Sequence, residues 1–309
     1  ILGSLELYNM TEDNQTLSVD SFNPFIFQQL NKSFESDGYR MDMTTNQSEG
    51  MRIEFQKQKE SDAVDMMIRV SCWKDIEDCG VEEYIRSKLG NVVVPTEAKN
   101  THVTLHITKA DYEKGGIEYL KQVACIHQYV LAAPFHKYLS ALGSGTQASL
   151  KPKIVSFYPT EPIYIVPSAS TISVVFSICE NDDTDRALMQ VFLLEFSEAK
   201  RTVPGCPSVS FSRDDPAEIR DIRIGDKPSA GYLVFSFSEG HVANGRLDSV
   251  CEMMCDFRYF LDYHIKSSKS YLHGRMRNRA DQWKNLMQEA KFESEGVQKT
   301  KASGKTFVK

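Results

Sequence analysis

The stretch LDSVCEMMCDFRYFLDYHIKSSKSYLHGRMRNRADQWKNLMQEAKF occupies residues 247–292 of a chain of 309 residues. It contains no proline, and Gly274 is its only glycine. Because these two residues are the ones that most often interrupt helices, the stretch predicts a single helix of about 45 residues, ~68 Å long. A helix of that length exceeds the width of a domain of this size. We therefore expect a long C-terminal helix that projects in part from the rest of the chain.

One face of this helix is apolar. Its residues recur at steps of three, four and seven, which makes a narrow stripe typical of helices that pack against another helix. The stripe consists of Leu261, Ile265, Ser268, Leu272, Met276, Trp283, Met287 and Ala290. It could instead cover the chain's own sheets, but the length of the helix favours a partner helix for the distal half. The predicted partner interface is Leu261, Ile265, Leu272, Met276, Trp283 and Met287.

The other faces of the helix are basic and aromatic. From Arg258 to Lys309 there are twelve Lys and Arg residues against five Asp and Glu residues, although the whole chain has a net charge of −6. The helix carries Arg258, Lys266, Lys269, Arg275, Arg277 and Arg279, with Phe257, Tyr259 and Tyr263 beside them. Aromatic and arginine side chains are enriched at protein interfaces, and basic charge steers an acidic partner. A charge run is more often a solvated face, so this second surface remains a hypothesis.

Before the helix the sequence divides into two halves at a small, polar segment, Gly143–Pro152 (GSGTQASLKP), which is typical of a linker. Alternating or short apolar runs predict strands in both halves. In the first half they are Met51–Gln56, Val64–Cys72, Val92–Val94 and His102–Ile107. In the second they are Lys153–Tyr158, Ile163–Val166, Thr171–Cys179, Met189–Phe196, Ser208–Ser212 and Gly231–Phe237. Helices are predicted over Asp75–Leu89 and from about Gly116 to Leu139, where Pro134 implies a kink or an earlier end.

Each half thus has several strands followed by a long helix. The prediction is an α+β fold of two similar lobes, each a mainly antiparallel sheet with helices, plus the projecting C-terminal helix. The predicted domains are a first lobe over 1–143, a linker over 144–152, a second lobe over 153–246, the helix over 247–293 and a basic tail over 294–309.

No motif predicts a catalytic centre, a metal site or a cofactor. The seven cysteines are scattered and form no C-x-x-C pair, which favours reduced thiols in an intracellular protein. The glycine-rich Gly240–Gly245 lacks the Lys-Ser/Thr that completes a phosphate loop. The acidic run Glu180–Asp185 lacks the glycine and the final glutamate of a calcium loop and is interpreted as a solvated turn. No apolar run approaches the length of a membrane-spanning helix, so no membrane insertion is expected.

Two segments near the C terminus resemble a known family. Phe260–Arg277 (FLDYHIKSSKSYLHGRMR) and Gly304–Phe307 (GKTF) are similar to the large scaffold subunits, subunit 2, of the actin-related protein 2/3 complex. Further segments agree with that family in order, and the agreement is weaker in the first half. They are Ile163–Phe176, Val191–Arg201, Ser208–Ser212, Gly231–Phe237, Val64–Leu89 and Val103–Leu139.

The resemblance implies a non-catalytic structural subunit with two α/β lobes. It implies that the C-terminal helix packs antiparallel on that of subunit 4, forming a core that holds the two actin-related subunits and the rest of the complex. It also implies contact with the side of the mother actin filament during nucleation of branched actin, in the cytoplasm and at the actin cytoskeleton, with no nucleic acid as partner. The expected filament-contact residues are Phe257, Lys266, Lys269, Arg275, Arg277 and Arg279.

Two other functions compete with this interpretation. The basic helix with its interleaved Tyr and Phe residues could grip RNA phosphates and bases, which would make the chain an RNA-binding module. A hydrolase site assembled from distant residues is a further alternative, although no nucleophile motif supports it.

Overall fold

The computed structural model describes residues 22–36, 38–47, 49–59, 61–96, 100–198 and 205–290. The predicted basic tail, 294–309, and the last three residues of the predicted helix, 291–293, lie outside the described residues. So does the Gly304–Phe307 segment.

The first sheet has five antiparallel strands in the order β1-β2-β3-β5-β4. Along β2 the side chains of Met51, Ile53 and Phe55 are buried in alternation with exposed or half-buried neighbours, as expected for a sheet with one covered face. Its strands are β1 (Met41–Asn46), β2 (Met51–Lys57), β3 (Ala63–Val70), β4 (Val93–Val94) and β5 (Val103–Thr108).

The second sheet repeats this topology, with the order β6-β7-β8-β10-β9. In both sheets three consecutive strands form a meander, the fourth lies at an edge, and the fifth returns between the third and the fourth. All seven residues of the central strand β8 are buried. The strands are β6 (Lys153–Tyr158), β7 (Glu161–Pro167), β8 (Ile172–Ile178), β9 (Ser208–Ser212) and β10 (Gly231–Phe237). The predicted α+β fold with two antiparallel sheets is confirmed.

Within the described ranges the chain forms eight α-helices and three short 3₁₀ turns. The helices are α1 (Pro24–Glu35), α2 (Trp73–Ile76), α3 (Val81–Leu89), α4 (Lys109–Ala124), α5 (Ile126–Ser144), α6 (Asp183–Ser197), α7 (Glu239–Val242) and α8 (Leu247–Glu289). The 3₁₀ turns are Glu77–Cys79, Gln147–Ser149 and Ala217–Ile219. The prediction of one long C-terminal helix is confirmed by α8, whose 43 residues are continuous.

The predicted strand Met189–Phe196 is wrong, because this segment is the second half of α6. The start of α6 explains the error. The carboxylate of Asp182 accepts hydrogen bonds from the backbone N–H groups of Thr184 and Asp185, each at 2.9 Å, and so caps the helix. The acidic run interpreted as a solvated turn is therefore a helix start, which the helix dipole favours.

The helices of the first half also differ from prediction. Asp75–Leu89 is interrupted at Gly80, whose backbone has φ 69° in the left-handed region that glycine tolerates. The segment predicted as one helix from Gly116 is α4 and α5, which meet at Cys125, and Pro134 lies inside α5 instead of ending it. Helix α5 continues through Ser144, the first residue of the predicted linker. Helix α1 and strand β1 were not predicted.

The chain divides into two compact units, 1–258 and 259–309, and α8 begins in the first unit and continues in the second. The division therefore falls inside α8 and not at the predicted linker. The lobe boundaries remain predictions, and the description of the two sheets does not depend on them.

In the first unit, the start of α8 is attached to the helices of the first sheet. The Asp248 carboxylate accepts hydrogen bonds from the Tyr84 hydroxyl at 3.4 Å and from Lys88 Nζ at 2.6 Å. Two turns later, Gln128 Nε2 on α5 donates to Asp256 Oδ2 at 3.3 Å. These contacts hold the polar side of the first three turns of α8 against α3 and α5.

The same turns are attached to the second sheet by Arg258. Its Nε donates to Glu161 Oε2 at 2.8 Å and its Nη2 to Glu161 Oε1 at 3.0 Å, while Nη2 also reaches the carbonyl of Cys179 at 3.3 Å. The side chains are only 16% and 8% exposed. Two parallel hydrogen bonds between a guanidinium and a carboxylate are strong, and they fix the relative orientation of the two side chains as well as the distance between them.

The two sheets also meet directly. Glu49, in the β1–β2 turn, accepts hydrogen bonds from the Tyr158 hydroxyl at the end of β6 at 2.9 Å and pairs with His127 Nε2 on α5 at 2.5 Å. The backbone N–H of Ser156 donates to Asp75 Oδ2 at 3.1 Å. Both sheets and the start of α8 thus belong to one connected set of polar contacts in the first unit.

Replacing Arg258 with alanine should lower the free energy of unfolding by about 3–5 kcal/mol, because Glu161 would keep a buried, unpaired charge. The matched control is Arg86→Ala, which removes an exposed i,i+4 pair with Glu82 and should cost less than about 1 kcal/mol. Urea denaturation of both variants checks this. Arg258→Lys, which keeps the charge but not the bidentate geometry, should fall between them. Equal losses for Arg258→Ala and Arg86→Ala would contradict the assigned role.

Candidate protein-interaction surface on the C-terminal helix

The second half of α8 carries a row of exposed apolar side chains. All twenty residues from Tyr271 to Ala290 are exposed. Single exposed apolar residues are ordinary on protein surfaces, but a row along one helix face is typical of an interaction site. Its members, with their exposed fractions, are Leu272 (38%), Met276 (66%), Trp283 (68%), Leu286 (55%) and Met287 (71%). These five residues are called the exposed stripe below.

The structure separates the predicted partner-interface residues into two groups. Leu261 and Ile265 are buried, so they offer no free surface. Leu272, Met276, Trp283 and Met287 belong to the exposed stripe. Sequence reasoning missed Leu286, although it lies two heptads after Leu272. The signal was weak because a charged residue, Arg279, occupies the heptad position between them.

Phe257 lies in the core of the first unit. Its side chain is 4% exposed, and its ring packs against those of Phe176 at 4.9 Å, Phe235 at 5.2 Å and Phe196 at 6.1 Å between centroids. Close tilted and edge-on packing of this kind stabilises a core. We therefore assign Phe257 to the core of the second sheet and not to a contact surface.

Of the five cations expected at a filament contact, Lys269 is half-buried and the other four are exposed, and the five do not share one face. At about 100° per residue, Lys269, Arg275 and Arg279 lie within about 60° of Leu272, the first two at the edges of the exposed stripe and Arg279 within it. Lys266 and Arg277 lie about 120–140° away, on the opposite side of the helix. The basic residues therefore divide between two surfaces.

The side opposite the stripe is aromatic as well as basic. A shallow groove there is lined by Tyr259, Asp262, Tyr263, Lys266, Ser267, Ser270 and Tyr271. Tyr259 and Tyr263 are about half exposed. A tyrosine offers an apolar ring and a polar hydroxyl together, which suits a protein surface that is partly wet. We call Tyr259, Tyr263, Lys266, Ser270 and Arg277 the tyrosine face.

Other kinds of site have little support among the described residues. No three His, Cys, Asp or Glu side chains in these ranges are arranged to hold a metal ion. The helices of the described chain include none that is long and apolar enough to cross a membrane.

A comparison with known protein families shows which family the chain belongs to. The family model described as "Arp2/3 complex, 34 kD subunit p34-Arc" matches residues 66–294, which is most of the chain. The chain belongs to this family. The resemblance seen in the sequence is thereby confirmed.

Two relatives of this p34-Arc chain cover nearly its whole length. A Schizosaccharomyces pombe protein named "Actin-related protein 2/3 complex subunit 2" is 27% identical over 95% of this chain and 99% of its own length. A Dictyostelium discoideum protein of the same name is 24% identical over 94% of this chain and 99% of its own. Both sheets and α8 therefore lie within the region shared with these relatives.

Proposed function

We propose that this p34-Arc chain is a non-catalytic structural subunit of the Arp2/3 complex. In this proposal the distal half of α8 pairs with subunit 4 through the exposed stripe. The pair forms the scaffold that holds the two actin-related proteins and the other subunits, and it contacts the side of the mother filament when branched actin is nucleated. The protein would act in the cytoplasm, at the actin cytoskeleton.

The single observation that carries the pairing is the exposed stripe. Burying a large apolar side chain contributes roughly 1.5–3 kcal/mol, so covering five of them supplies a large driving force for association. The stripe is narrow, straight along one helix face and built from steps of three, four and seven. A second helix is the element whose own side chains fit between residues spaced in this way.

The filament contact is supported by the tyrosine face. It lies on the side of α8 opposite the stripe, so a partner helix on the stripe would leave it accessible. Its cations suit an acidic filament surface, and its tyrosines supply anchors that can be desolvated. We propose Lys266 and Arg277 as primary contacts. Lys269 and Arg275 lie at the edges of the stripe and Arg279 lies within it, so these three would reach a filament only where the partner helix leaves them uncovered.

Placing a charge in the stripe should disrupt the pairing. We expect Leu272→Asp and Trp283→Asp each to abolish co-purification with subunit 4, because a carboxylate in a closed apolar seam costs several kcal/mol, about 3 or more. The matched control is Asn285→Asp, which adds the same charge on the same exposed helix but away from the stripe. Normal co-purification with both stripe variants would contradict the proposed pairing.

Reversing charge on the tyrosine face should weaken branching without affecting assembly. We expect Lys266→Glu/Arg277→Glu to lower branch density in a purified actin assay at least about tenfold, and the defect should diminish as salt screens the charges. Gel filtration of the variant complex should remain normal. Arg52→Glu/Arg86→Glu, two exposed cations of the first unit, is the matched control. Wild-type branch density with the tyrosine-face variant would place the filament contact elsewhere.

A further inference from the structure

The charged side chains on and beside the exposed stripe between Leu272 and Trp283 are positive. Arg279 lies about 20° from Leu272, within the exposed stripe, and Arg275 about 60° from Leu272, at its edge; both are exposed. From Ser268 to Ala290 the described helix has two carboxylates, Asp281 and Glu289, which lie about 180° and 100° from Leu272. Asp281 is paired at 2.9 Å with Lys284, also away from the stripe. Glu289 lies beside Leu286, but it is ten residues, ~15 Å along the helix, from Arg279, so on the stripe side of this described segment no carboxylate is close to Arg275 or Arg279.

A helix that packs on the stripe brings its own flanking side chains beside these arginines. In paired helices the positions that border the apolar seam form interhelical ion pairs, which set partner choice and orientation. Basic partner residues there would be repelled by Arg275 and Arg279, and neutral residues would leave both charges partly desolvated.

We infer that the segment of subunit 4 that covers the stripe is a helix whose apolar residues are flanked by Glu or Asp, and that Arg275 and Arg279 select it by pairing with those carboxylates. The inference rests on the proposed pairing and explains how the stripe would select its partner helix. It moves both arginines from the expected filament contact to the partner seam.

The side chain of Arg275 is restrained by a neighbouring ring. Its guanidinium lies over the ring of Tyr271, one turn earlier, at 5.7 Å from the ring centroid. Cation–π contact restricts the side chain while leaving the N–H groups at the edge of the guanidinium plane available. A planar guanidinium held in this way can donate two parallel hydrogen bonds to one carboxylate, which lysine cannot.

The test is the rate at which labelled subunit 4 exchanges out of the purified pair formed with the full-length chain. Arg275→Glu/Arg279→Glu should accelerate exchange about tenfold, because two attractive pairs become repulsive. Lys266→Glu/Arg277→Glu makes the same charge change on the opposite side of the helix and should leave exchange unchanged. Raising the salt from ~0.05 M to ~0.5 M should speed exchange of the wild-type pair and slow that of Arg275→Glu/Arg279→Glu.

Leu272→Asp, measured in parallel, distinguishes the two levels of the proposal. If Leu272→Asp disrupts the pair while Arg275→Glu/Arg279→Glu exchanges like the wild type, the pairing stands and the acidic flank is overturned. If neither has an effect, both the pairing and its specificity are overturned. If both double charge variants accelerate exchange equally, the effect is one of net charge, and the assignment to the stripe is overturned.

Discussion

The ion pair between Arg258 and Glu161 fixes the start of α8 on the second sheet. It holds the third turn of α8 to the second sheet at a site with little exposure, while Asp248 and Asp256 hold the preceding turns to the helices of the first sheet. A buried ion pair of this kind contributes little net free energy of folding, because the cost of desolvating both charges offsets much of their Coulomb attraction. Its main effect is to fix the orientation of α8 against the second sheet. The first twelve residues of α8 therefore have one defined position in the first unit.

Beyond that attachment, the helical period decides what each side chain can do. A rotation of about 100° per residue places the exposed stripe and the tyrosine face on opposite sides of one helix. The tyrosine face lies within residues 259–277 and the stripe within residues 272–287, so two partners could bind the same helix without competing. Apolar, aromatic and basic residues alternate along the sequence of α8 because the helix carries two different surfaces on opposite sides.

Much of the fold could be predicted from periodicity, but the choice between helix and strand in Met189–Phe196 could not. A short apolar run is compatible with either a helix or a strand. The segment is helical because Asp182, which lies outside the run, caps the start of the helix. The location of Phe257 could not be predicted either, because a helix start that is rich in aromatic residues does not indicate which ring a distant sheet will bury. The stripe was predictable from spacing, and the division of the cations between two faces follows from the same helical period, since the predicted helix already included Gly274 and the structure confirms its continuity.

Amide hydrogen exchange along α8 reports whether the second half of the helix is packed against a partner. A helix without tertiary packing is marginally stable, so the amides of 271–290 should exchange rapidly in the isolated chain. They should slow by at least about tenfold when subunit 4 is bound, while those of 250–258 stay protected in both states. Protection of 271–290 that is already complete in the isolated chain, or that does not change on binding, would contradict the claim that this half of the helix serves as a partner surface.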